Sequence, residues 1–216
     1  SIKSDSELAV DLVTAKMTIG MTDLSVTGKL TGDSQFVGSD FEFAALLPDT
    51  LQFGKLSGLP IRRVVRLSAN GQLNITNSGL RLNDTAGKLG QHAFNVDGDI
   101  NFIATDFNSK LKVSTNGPNI EDLVTLFTAT DQLPALPYKL SGELALTARQ
   151  LKLTPVKGTL GPNNIRTQGS LSFDGKPINI NLNIAADGPS LSDLLVKQKL
   201  GNIPDEAYRL SGDLKL

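Results

Sequence analysis

The plainest pattern in the chain is strict alternation. In Pro177-Ile-Asn-Ile-Asn-Leu-Asn-Ile184, side chains of an extended strand point to opposite sides with a period of two. Ile178, Ile180, Leu182 and Ile184 therefore share one face, and Asn179, Asn181 and Asn183 the other. Gly142 leads a similar run through Leu144 and Leu146, and Gly169 leads another through Leu171 and Phe173. Strand after strand, one face is aliphatic and the other polar.

Between groups of such strands the spacing changes to that of a helix. Ile120, Leu123, Leu126 and Phe127 fall at helical intervals, as do Leu191, Leu194 and Leu195. Asn119-x-x-Asp122 and Ser190-x-x-Asp193 read as N-terminal caps, with the acidic residue near the positive end of the helix dipole. Gly117-Pro118 and Gly188-Pro189 precede them and predict a sharp turn into each helix.

These groups repeat. Leu80, Leu82, Gly87, Leu89 and Gly90 match Leu151, Leu153, Gly158, Leu160 and Gly161 without a gap, an offset of 71 residues. Leu140-Ser-Gly142 returns as Leu210-Ser-Gly212, and Ile19-Gly20, Val26, Gly28 and Leu30 precede Leu89-Gly90, Val96, Gly98 and Ile100 by 70. The division this predicts is the end of one unit over 1–45, full units over 46–116 and 117–187, and the start of a further unit over 188–216. Each unit is read as a short helix followed by four strands. A chain that begins and ends inside units is expected to be a stretch of a longer continuous array, since stacked repeats contact mainly their neighbours.

The predicted fold is therefore mostly β with short helices, a repetitive antiparallel meander. Two arrangements would cover its aliphatic face. A second sheet would close it as a sandwich. Otherwise the sheet curls into an open groove with the aliphatic face inside. About 13 strands at ~4.8 Å spacing span roughly 60 Å. Such a trough exposes more apolar area than a soluble monomer ordinarily tolerates, and so calls for a guest. Acyl chains fit chemically, because each buried methylene contributes ~0.8 kcal/mol without directional contacts.

Composition narrows the chemistry. The formal net charge of −1 gives no basic surplus for phosphates, so no nucleic-acid partner is expected. With no Cys, disulfides and thiolate metal sites are excluded. Aromatics make up only 5% of the chain, which disfavours a dense aromatic core. No run approaches the ~18 apolar residues of a membrane span.

Candidate reactive groups resolve into structural roles. His92 is the only histidine, and its counterpart one unit on is Asn163, which reads as a surface turn position rather than a catalytic base. Asp97 and Asp99 correspond to Gln168 and Ser170, as expected of a solvated polar face and not of a Ca²⁺ site. Glu121 and Asp122 are neighbours at a helix start, which suits dipole partners better than a glycosidase pair. Gly87-x-x-Gly90 and Gly158-x-x-Gly161 recur at the unit period and are read as hairpin turns, since they lack the Lys-Ser/Thr of a phosphate loop. Arg62, Arg63 and Arg66 form the one basic cluster, read as a solvated loop. No catalytic residue, metal or cofactor is expected.

The ordered motifs resemble a known family. Gly117-Pro-Asn-Ile-Glu-Asp-Leu-Val-Thr-Leu-Phe127, Leu136-Pro-Tyr138-Lys-Leu-Ser-Gly142-Glu-Leu144, Gly158-Thr-Leu-Gly161 and Gly169-Ser-Leu-Ser-Phe173 resemble the C-terminal repeats of AsmA-like proteins. The pair returns at Gly188 to Leu194 and at Ala207-Tyr-Arg-Leu-Ser-Gly-Asp-Leu214. In unit two, Leu67-Ser-Ala-Asn-Gly71 replaces the Tyr-x-Leu-Ser-Gly pattern and Gly-Pro is missing, so its helix is less clearly marked. The resemblance implies a Gram-negative envelope protein, anchored in the inner membrane by a segment outside this sequence and extending through the periplasm. It implies a repeating β-groove that moves phospholipid, or another acyl-chain lipid, toward the outer membrane. On that reading Leu144, Leu146, Leu171, Phe173, Ile178, Ile180, Leu182 and Ile184 line the groove, and outer-membrane assembly proteins are possible partners. The rival expectation is a periplasmic scaffold or docking arm with a closed sandwich core and no lipid.

Overall fold

In the computed structural model the residues described are 10–19, 22–31, 35–51, 61–102, 108–127, 133–147, 149–172, 179–195 and 205–215. Phe173 and Ile178 lie outside them. Alternation produces twelve strands: β1 (Val10–Ile19), β2 (Thr22–Thr31), β3 (Asp40–Leu47), β4 (Leu67–Thr76), β5 (Gly79–Leu89) and β6 (His92–Asn101), then β7 (Asn108–Gly117), β8 (Tyr138–Thr147), β9 (Gln150–Leu160), β10 (Asn163–Ser172), β11 (Asn179–Gly188) and β12 (Tyr208–Lys215). All twelve lie in a single sheet in chain order, each antiparallel to the next. The sheet is open and unclosed, as a curled groove requires. At ~4.8 Å per gap it extends roughly 50 Å across the strands.

The described residues hold twelve strands, where the sequence reads about 13. One expectation is corrected here. No second sheet packs on the first among those residues, so the closed sandwich behind the scaffold reading is not the architecture found. The expected four strands per unit are present: β4–β7 in 46–116 and β8–β11 in 117–187.

Two helices stand where the cap patterns put them, α1 (Ile120–Thr125) and α2 (Leu191–Leu194). Asn119 Oδ1 accepts a hydrogen bond from the Glu121 amide at 2.9 Å, satisfying one of the donors that a helix start leaves unpaired. In unit two Asp49 does the same for the Leu51 amide at 2.8 Å, and residues 50–51 turn helical. The cap thus persists there without Gly-Pro. α1 and the segment before β8 pack Leu123, Val124 and Leu136 on the buried trio Ile120, Tyr138 and Leu160. Most of the best-buried apolar side chains therefore sit at the helix end of the strands, with Phe41 buried near the other end of β3, and most of the aliphatic face is only half-buried.

The second strand of each full unit carries one residue more than its neighbours. Relative to β4 and β6, the extra residue of β5 falls between Leu82 and Thr85. In β9 it falls between Leu153 and Val156. A bulge of this kind flips the face of every residue beyond it. This is why Leu80 and Leu82 share a face with Gly87 and Leu89 despite the odd spacing. In β9 the bulge also accommodates Pro155, which has no N–H to give the ladder. Opposite it, Gly142 must lack a side chain, because a Cβ there would lie 2.7 Å from Val156 Cα.

Candidate functional site

The pairing registers align the aliphatic positions into continuous rows across the sheet. One row runs Leu73, Leu82, Gly98, Leu111, Leu144, Leu153, Gly169, Leu182 and Leu214. The next runs Ile75, Leu80, Ile100, Ser109, Leu146, Leu151, Leu171 and Ile180 through the same pairings. Ile184 sits in the row on the other side, opposite Thr167. Leu144, Leu146, Leu171, Ile180, Leu182 and Ile184 therefore belong to one face and one contiguous patch. Leu144, Leu146, Leu171, Leu182 and Ile184 are half-buried, whereas Asn179, Asn181 and Asn183 are exposed. Two hydroxyls interrupt the patch: Ser109 Oγ and Thr167 Oγ1 are buried there without a hydrogen-bond partner.

The opposite face is charged and solvated. Arg81 pairs with Asp99 at 2.7 Å, both half exposed, and Asp97 lies across from Lys112. A shallow depression of about 620 Å³ is walled there by Arg81, Lys110, Lys112 and Lys152 together with Asp97, Asp99 and Glu143. Cations and anions interleave, so it favours no ligand of one sign. Among the described residues no three His, Asp or Glu side chains come close enough to hold a metal ion. Arg62, Arg63 and Arg66 are exposed, as a solvated loop requires.

At the helix end of the patch the structure overturns one sequence expectation. His92 is not a surface turn residue: it is 5% exposed and begins β6. Its Nδ1 lies 3.1 Å from the hydroxyl of Tyr138, two strands away on β8. The intervening strand contributes Gly117, where a Cβ would lie 2.4 Å from that nitrogen. The Tyr138 hydroxyl also lies 3.2 Å from Thr115 Oγ1. Burial lowers the His92 pKa from its ordinary 6.5, with Asp122 opposing, and burial pushes the Tyr138 hydroxyl up, with the Thr115 hydrogen bond opposing.

The same latch is built again one unit on. Tyr208 on β12 donates to Asn163 Oδ1 on β10 at 3.0 Å, past Gly188 on β11, where a Cβ would lie 2.0 Å from that oxygen. Asn163 is fully buried. Histidine and asparagine interchange because each offers a ring or amide atom to a tyrosine hydroxyl. In unit two, Leu47 and Leu67 are the paired residues at the positions held by Gly117 and Tyr138. Glycine and tyrosine are thus lost together, which explains why that unit lacks both motifs. The Gly87 and Gly158 positions are also corrected: each lies inside a strand, and only Gly90 and Gly161 make the hairpin turns, with φ of 61° and 56°.

Comparison with protein-family models, with curated proteins and with solved structures finds no match for this chain.

Proposed function

We propose that this chain is a stretch of an AsmA-like bridge, tethered to the inner membrane and spanning the periplasm. It conducts phospholipid toward the outer membrane along the aliphatic face. The observation that carries this reading is the largely aliphatic face, which passes from unit to unit with no covering layer among the described residues. Acyl chains lie along the rows through Leu144, Leu146, Leu171 and Leu182, on the concave side of the curled sheet. Head groups stay near the mouth. Each methylene transferred from water contributes ~0.8 kcal/mol, and no residue needs to react. The helices and the tyrosine latches stiffen one rim, so the groove stays open while its contents slide.

The reading is tested on the purified chain with a fluorescent phospholipid and with mass spectrometry of co-extracted lipid. Bound phospholipid is expected in the parent. Leu182→Asp is expected to weaken binding at least ~10-fold, because a carboxylate desolvated against hydrocarbon costs several kcal/mol. Asn181→Asp, one residue away on the polar face, leaves binding unchanged. Equal binding by all three proteins, with circular dichroism showing them folded, contradicts the reading.

A further inference from the structure

The loop leading into β4 carries Arg62, Arg63 and Arg66 in a single short run, all exposed, with Val64 59% exposed between them. Its backbone is pinned along its length. The Arg62 amide donates to the Leu126 carbonyl at the end of α1 at 2.8 Å, and the Gly90 amide donates to the Arg66 carbonyl at 2.8 Å. Between these, the hydroxyl of fully buried Thr50 donates to the Arg63 carbonyl at 3.4 Å and accepts from the Val65 amide at 3.3 Å. The arginines therefore project from a fixed backbone, and holding a ligand there orders little chain.

The fold does not require arginine at these positions. The loop leading into β8 occupies the same place one unit on, and there Leu133, Pro134 and Pro137 stand for Arg62, Arg63 and Arg66. The Gly161 amide donates to the Pro137 carbonyl at 2.7 Å, as Gly90 does to Arg66. Leu136 rests against Gly161 as Val65 rests against Gly90. An uncharged loop thus makes the same contacts. Before β12 the matching residues are Ile203, Pro204 and Ala207, again uncharged. Like charges gathered in one short loop repel one another, so the trio does not stabilise the unit by itself.

Nor does the molecule neutralise them. Arg81 is paired with Asp99 at 2.7 Å, whereas Arg62, Arg63 and Arg66 have no ion pair among the described residues. Asp49, the carboxylate nearest them in sequence, accepts from the Leu51 amide. A guanidinium presents a planar fork of donors that meets the oxygens of an anion two at a time. One such fork satisfies a carboxylate. Three forks suit a terminal phosphate, which offers three acceptor oxygens and close to two negative charges.

We infer that Arg62, Arg63 and Arg66 form a binding site for a terminal phosphate group, borne by a lipid head group or by a small soluble ester. The site lies at the helix rim, apart from the lining rows, and stands whether or not the aliphatic face holds lipid.

The test follows the arginine Nε–H signals of the isotope-labelled chain by NMR during titration with glycerol phosphate. The signals of Arg62, Arg63 and Arg66 are expected to shift and saturate. Arg81, held by Asp99, and Arg149, exposed on the opposite rim, are expected to shift little. Arg62→Gln/Arg63→Gln/Arg66→Gln is expected to weaken binding at least ~10-fold. Its amide spectrum is expected to keep its dispersion, since the three side chains are exposed. Cosedimentation with phosphatidic acid vesicles separates the two sources. Vesicle binding that the triple variant loses assigns the lipid head group, and a saturable glycerol phosphate shift without it assigns the soluble ester. Acetate shifting the three signals as far as glycerol phosphate, Arg149 responding as strongly as they do, or parent and variant behaving alike toward both probes overturns the inference.

Discussion

The tyrosine latch makes a prediction that depends on one missing methyl group. Gly117→Ala places a Cβ 2.4 Å from His92 Nδ1, 3.0 Å from Tyr138 Cε1 and 3.2 Å from the Tyr138 hydroxyl. His92 and Tyr138 are 5% and 4% exposed, so neither can swing into water without opening the strand ends. The 3.1 Å contact between them must break. A buried polar group left without its partner costs about 1–3 kcal/mol, and Thr115 holds the tyrosine hydroxyl only in part. Against this, replacing glycine within a strand recovers about 0.5–1 kcal/mol of backbone entropy. The balance is a local destabilisation of about 1 kcal/mol, close to a 5-fold rise in the open population. Repeat arrays open unit by unit, so a single melting temperature blurs the effect. Hydrogen exchange resolved by peptide is the suitable assay, with faster exchange expected at the paired ends of β6, β7 and β8 and none at β1–β2. Gly212→Ala is the matched control, because its new methyl meets nothing. Unchanged exchange around residues 92, 117 and 138 refutes the latch. Leu47 and Leu67 also predict that Gly117→Leu with Tyr138→Leu is less damaging than Gly117→Leu alone, a coupling read by the double-mutant cycle.

Other consequences follow from the same contacts. Because burial holds the His92 pKa below 6.5, the unfolded chain binds the extra proton first. Protection of β6–β8 is therefore full above that pH and declines as pH falls through the lowered folded value; His92→Asn, copying Asn163, flattens the profile in exchange measured from pH 7 to acid. Thr167→Val removes a hydroxyl buried without a partner and is expected to stabilise the chain by about 1 kcal/mol in urea unfolding. A destabilisation of that size would mean that the hydroxyl has a partner after all. Leu144→Lys, on the row that carries Leu182, is expected to lower lipid content without loss of sheet signal, since the uncovered face lets the longer side chain reach solvent.

The four strands between successive helices, the Asn119 cap and the two-faced strands were all legible in the sequence, because each depends on residues close together in the chain. Six of the eight proposed lining residues fall on one face for the same reason. Their period of two fixes their side once the registers are known. Long-range contacts were not legible. His92 looked like a turn residue because Asn163 replaces it, yet both serve a hydroxyl that arrives from two strands away. The glycine of each Gly-Pro marked a turn and also vacates space for that contact. The bulges did leave a trace, in the odd step from Leu82 to Leu89 and from Leu153 to Leu160, where unbroken alternation needs an even one. The architecture that covers or uncovers an aliphatic face is a property of layers, and alternation alone suits a sandwich as well as an open sheet.

The central claim, an open aliphatic face loaded with lipid, is met most directly by photo-crosslinking in cells. A photoreactive residue replaces Leu182 or Leu144 on the proposed lining, and Asn181 on the exposed face serves as the control. Lipid adducts at the two leucine positions and none at Asn181 are predicted. Equal labelling on both faces, or no lipid at either leucine, contradicts the account.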